Sequence, residues 1–162
     1  SMSHQSLSIH DRQGERPRTN PTMPHQQESD NAPTELQEAL FDRVLKLPGV
    51  ETGRSHVSVP GARAFFLEES RANGPGDAFI AGREFAHLHP PQDGSLHLAL
   101  PESLAREVVD AGWGEFHPGV DLGFMPPNSL MVYGPRTTEE LETVWQIVEA
   151  SYRYASGEPS SA

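Results

Sequence analysis

Glu84-Phe85-Ala86-His87-Leu88-His89-Pro90-Pro91-Gln92-Asp93-Gly94-Ser95-Leu96-His97-Leu98-Ala99-Leu100 is the stretch whose reading decides the fold. Side chains along a strand alternate between two faces, so Leu96, Leu98 and Leu100 share one face while Ser95, His97 and Ala99 share the other. With Pro90–Gly94 as the loop, His89 faces Ser95 and His87 faces His97, and opposed Cβ atoms lie about 4.5–5.5 Å apart. Ala86 and Leu88 then join the leucine face. The leucines enter a core and three imidazoles share a patch on the other side. Register carries this reading, because a loop changed by one residue would throw His97 to the opposite face.

Outward from the hairpin, Thr34 and Gln37 form a capping box ahead of a helix whose stripe is Leu36, Leu40, Val44 and Leu47, stopped by Pro48-Gly49. Thr137 and Glu140 form a second box, followed by Leu141, Val144, Trp145, Val148, Tyr152 and Ala155, and closed by Gly157. A middle helix runs over 102–111, with Leu104, Val108 and Ala111 inward and Gly112 as its stop. Strands are expected near 55–59, 62–68, 78–80 with 83–89, 95–100 and 129–133, and 113–128 as an irregular connection. The fold class is α+β: an antiparallel sheet of about five strands, with the N- and C-terminal helices on one face and histidines on the other, helix-free face.

The chain has 162 residues, which suits one domain. Between Ile9 and Ala32 the only large apolar side chain is Met23, so residues 1–33 are expected to be a disordered or loosely packed tail. Its His4, His10 and His25 are read as incidental. Residues 34–156 form the domain and 157–162 a C-terminal tail. There is no cysteine, which removes disulfides, zinc thiolates and thiol nucleophiles. No long apolar run and no apolar leader occur, so a cytoplasmic protein without membrane association is expected. Acidic residues number 23 against 12 basic ones, for a net charge of −11. That field repels phosphates, and nucleic acid is set aside as a partner.

His87, His89 and His97, joined by His117 from the irregular segment, form a candidate metal-ligand set for zinc, iron, copper or nickel. Such a site suits metal-assisted hydrolysis or oxygenation. Without metal, His87 and His97 with Glu115 serve as acid–base groups, and Arg83 and Arg136 take a carboxylate-bearing metabolite. Trp113 is expected at the rim and Tyr133 either in the core or beside the ligand. His56 falls on the non-core side of its strand if Val57 and Val59 point inward. A small-molecule ligand is the expected partner. The alternative from another class is a non-catalytic interaction module, including a homodimer.

Val59-Pro60-Gly61-Ala62-Arg63-Ala64-Phe65-Phe66-Leu67, Gly82-Arg83-Glu84-Phe85-Ala86-His87-Leu88-His89-Pro90, Asp93-Gly94-Ser95-Leu96-His97 and Gly112-Trp113-Gly114-Glu115-Phe116-His117-Pro118 resemble the luciferase-domain family of small bacterial and fungal proteins. The likeness covers about 35–156 and implies a light-emitting oxygenase. The chain is too short for the flavin-dependent barrel luciferases and has no dinucleotide fingerprint. In element order and in the run Glu140–Tyr154 it is loosely similar to MmcQ/YjbR-like domains, which implies a sheet covered by helices on one face. His-x-His is similar to the metal strands of cupins, but the Glu of that pattern is missing after His89.

Overall fold

The computed structural model describes residues 6–158. His4 and the end of the expected C-terminal tail lie outside them. The order is α1 (Thr34–Leu45), β1 (Val50–Arg54), β2 (Arg63–Leu67), β3 (Glu84–Leu88), β4 (Leu96–Ala99), α2 (Glu102–Asp110), β5 (Gly114–Phe116), α3 (Pro118–Asp121), β6 (Ser129–Val132) and α4 (Thr138–Ser156). The strands form one α+β sheet, β1-β2-β3-β4-β6-β5, with every neighbouring pair antiparallel.

The hairpin register is the one the alternation dictates: His87 opposes His97, and the His89 N–H donates to the Ser95 carbonyl at 2.8 Å. Gly94 closes the turn at φ +75, with the Gln37 side chain so near that a Cβ would stand 2.5 Å from it. Ala86, Leu88, Leu96, Leu98, Leu130 and Val132 join α1 and α4 in one core. Thr137 caps α4 by accepting the Glu140 N–H, and Gly157 ends it at φ +79.

Several expectations are corrected. The described residues form six strands, because Gly114–Phe116 pairs with β6 at the edge, its glycine pressed onto the Met131 carbonyl. The strand expected at 55–59 lies at 50–54, a mostly polar, solvated edge strand with no apolar alternation to announce it. Residues 76–78 are a 3₁₀ turn. At α1, Pro33 is the cap residue and Gln37 is buried, donating to the Ala32 and Pro91 carbonyls instead of capping.

Two further differences shape the second face. In β2–β3, Phe65 pairs with Ala86 but Phe66 pairs with Glu84, so Phe85 is an extra, bulged residue. A bulge shifts the alternation by one. Phe85 thereby enters the core, where it meets Phe65 and Tyr152, and Glu84 is carried to the histidine side. The second difference is that this face is covered. Residues 6–33, expected to be loose, lie along the domain as an arm. Leu7 and Ile9 pack against the core, and hydrogen bonds hold the arm along the rest of its path. The Arg12 N–H donates to the Ala111 carbonyl, the Trp113 indole to the His10 carbonyl, and Arg16 to the Val109 and Gly114 carbonyls.

Leu98 has no exposed surface and sits at the centre of the core. Leu98→Ala is expected to cost about 2–5 kcal/mol, read as a lower urea midpoint at unchanged slope.

Candidate functional site

Glu84 has no solvent exposure, yet its carboxylate is fully engaged. It accepts from the Ser55 hydroxyl at 2.8 Å, the His56 N–H at 3.0 Å and His87 Nδ1 at 2.8 Å. Burial alone would raise its pKa; the bonds from His87, His56 and Ser55 outweigh that and hold it below the usual carboxylate range. His87 therefore donates through Nδ1, and Nε2 carries the free lone pair.

From this pair the imidazoles run in a row. Ring centroids are 5.0 Å apart for His89–His87 and for His87–His97, 4.9 Å for His97–His117 and 5.2 Å for His117–His25. Hydrogen bonds set the tautomers of several of these rings. The Ser95 hydroxyl donates to Asp93, so His89 Nδ1 donates to Ser95, at 2.8 Å, leaving Nε2 unprotonated. His25 Nε2 donates to Glu115 at 2.7 Å, leaving Nδ1 as an acceptor. His117 Nδ1 accepts the Gly119 N–H at 2.9 Å, which places its proton on Nε2. His25 Nδ1 and His97 Nε2 are buried without a partner.

Burial keeps His89, His97 and His117 neutral, reinforced by the rings around them because a second positive charge nearby is unfavourable. The His89 pKa is lowered to about 3 by burial and then by His87, His25 and His117. Burial and then His25 and His87 lower that of His117 to about 4, and His97 lies well below its ordinary value for similar reasons. Burial pushes the Asp93 carboxyl up, against hydrogen bonds from Ser95 and Gln27.

The rings border a cavity of about 440 Å³ whose walls are His25, His87, His89, His97 and His117, with Met23, Pro24, Val57, Val59 and Met125 as the apolar part. The structure thus brings His87, His89, His97 and His117 together. Glu115 stands behind His25, its oxygens taken by Thr19, His25 and the Tyr133 hydroxyl. Burial and then the Glu115 bond push the Tyr133 pKa above its ordinary range. Trp113 is buried core, not rim. Neither guanidinium lines the cavity: Arg83 donates to the Leu67 carbonyl and Arg136 pairs with Glu140. Val57 is half exposed at the cavity wall and His56 lies against Phe66, so the 55–59 segment borders the cavity instead of alternating in the sheet.

Among the described residues no group of three or more His, Asp or Glu side chains is arranged to hold a metal ion. His117 also offers an N–H, not a lone pair, unless its bond to Gly119 is broken. Two members of the site escape the sequence reading. Glu84 is hidden by the bulge, and its signal is a double parity fault, a carboxylate at an apolar position beside a phenylalanine at a polar one. His25 is hidden by the polar composition around it.

A family model described as Luciferase domain matches residues 82–151. Proteins named luciferase from Armillaria gallica and Armillaria mellea are 42% identical to the chain over 80 residues, and one from Neonothopanus nambi is 41% identical. Each alignment covers 48% of this chain and 30% of the relative. Residues 82–151 are thus similar to the luciferase domain, and the aligned part of the chain spans less than a third of the length of these curated relatives. The matched segment includes Glu84, His87, His89, His97, Glu115 and His117; the arm lies outside it. No solved structure matches. No helix among the described residues is long and apolar enough to cross a membrane.

Rings that resist protonation when folded make stability pH-dependent. Their contribution is intact above the ordinary value of 6.5 and is lost as the pH falls toward about 4 and 3, because the unfolded chain takes up the protons first. Glu84 acts in the same sense and Asp93 in the opposite one. The melting temperature is expected to fall steadily below pH 6.5, and His89→Gln to flatten that slope, as read by scanning fluorimetry across pH.

Proposed function

We propose that the cavity binds a small polar molecule bearing an acidic O–H, and that His87 takes its proton as general base. The observation that carries this is the Glu84–His87 pair: a buried, ionised carboxylate holds Nδ1–H, fixing the ring and its tautomer, while the opposite nitrogen of a cavity-lining side chain has a free lone pair. When Nε2 is protonated, Glu84 steadies the imidazolium at hydrogen-bonding distance. The neutral neighbours His89 and His97 add no competing charge. Met23, Pro24, Val57, Val59 and Met125 give the cavity an apolar side for the body of the ligand.

The likeness of residues 82–151 to the luciferase domain supports an oxygenase as the reaction class. The relatives over that segment are named luciferase, and in an oxygenase removing a proton from the substrate makes an electron-rich anion for attack on dioxygen. The residues here bind the ligand, orient it and hold the proton; dioxygen is the oxidant. The carboxylate-metabolite reading has no support from Arg83 and Arg136, both of which are paired away from the cavity.

Para-nitrophenol, yellow only when ionised, is the probe. Wild-type protein is expected to bind it and raise its ionised fraction, and His87→Gln and Glu84→Gln to lower that effect. On the turnover of a true substrate the same changes should cost about 10²–10⁴-fold. Unchanged probe ionisation in His87→Gln overturns the reading. So does stoichiometric zinc, iron, copper or nickel in the purified protein that is lost in that variant.

A further inference from the structure

His25 repeats the arrangement of His87 on a different element. Its Nε2 donates to a carboxylate, Glu115, as His87 Nδ1 donates to Glu84, and its other nitrogen has no partner although the residue is 5% exposed. A buried acceptor left unpaired destabilises the free protein, and a donor supplied by a ligand would satisfy it. His25 lines the same cavity as His87, three rings along the row.

The arm is held on both sides of this residue. Thr19 pairs with Gln27 in an isolated bridge, closing a loop that carries Met23, Pro24 and His25 to the cavity wall. On one side Thr19 donates to Glu115 at 2.8 Å. On the other the Gln27 N–H donates to Asp93 at 3.1 Å and its side-chain oxygen accepts the Gly134 N–H at 3.1 Å. Glu115 is clamped in turn by the Tyr133 hydroxyl at 2.8 Å. A histidine serving only to tether the arm would need the Glu115 bond alone, with its second nitrogen turned to solvent or to a protein donor.

We propose that the arm supplies a second ligand-binding acid–base group: His25, oriented by Glu115, accepts a hydrogen bond from the ligand while His87 accepts another. The site therefore selects a molecule with two proton-donating groups. This rests on the reading of His87 as base and extends it to the substrate class. No covalent step is involved at His25; a proton is shared with Nδ1 and its charge is offset by Glu115.

The test compares probes with one and two donors on the full chain. Para-nitrophenol has one; nitrocatechol and nitrohydroquinone have two, at different spacings. Wild-type protein should bind one two-donor probe on the order of tenfold more tightly than para-nitrophenol. In His25→Gln that ratio should fall to near one. Glu115→Gln, which keeps a carbonyl acceptor for His25, should shift the ratio in the same direction and serves if His25→Gln does not fold. Equal losses for both probe types mean a loosened cavity and overturn the proposal. Para-nitrophenol binding that depends on His87, without any two-donor advantage, overturns it while leaving His87 as base. If no probe binds, both fall.

Discussion

A carboxylate with no exposed surface sets the terms for this molecule. Ionised Glu84 can remain inside only because three donors reach it, and those donors come from β3 and from the segment after β1. The bulge that carries Glu84 to the second face also sends Phe85 into the core, so one extra residue in β3 serves packing and site together. Without that shift the carboxylate would face aliphatic side chains and His87 would have no fixed tautomer.

The sheet consequently has two buried faces of different kinds. The leucine face is closed by α1 and α4 through apolar contact. The histidine face is closed by the arm and the loops through hydrogen bonds, and its interior is a row of imidazole rings around a cavity. Polar interiors are stable when every group is paired. Here two ring nitrogens, His25 Nδ1 and His97 Nε2, break that rule, and both belong to cavity-lining residues. Unsatisfied groups gathered at one place mark a binding site more firmly than the count of histidines does.

Much of this was legible from alternation and helical spacing. The His87–His97 pairing follows from a five-residue loop between two alternating runs, and α4 from its stripe between Thr137 and Gly157, because burial on one face writes a period into the sequence. The edge strands β1 and β5 were not legible, since a solvated or three-residue strand needs no such period. Glu84 was obscured because a bulge breaks the alternation that a reader relies on. His25 was obscured because composition reports how much apolar surface a segment can bury, and the arm docks by other means.

Those means carry a consequence of their own. Beside the side chains of Arg16, Thr19, His25 and Gln27, the arm meets the domain through its main chain: the carbonyls of His10, Gln13 and Ala32 accept from Trp113, Arg136 and Gln37, and the amides of Leu7, Arg12 and Gln27 donate in return. A peptide group is the same whatever side chain it bears, so the letters at those main-chain contacts are free to drift while the path stays put. Similarity searches that score letters will then see the receiving half of the site and overlook the strap that closes it.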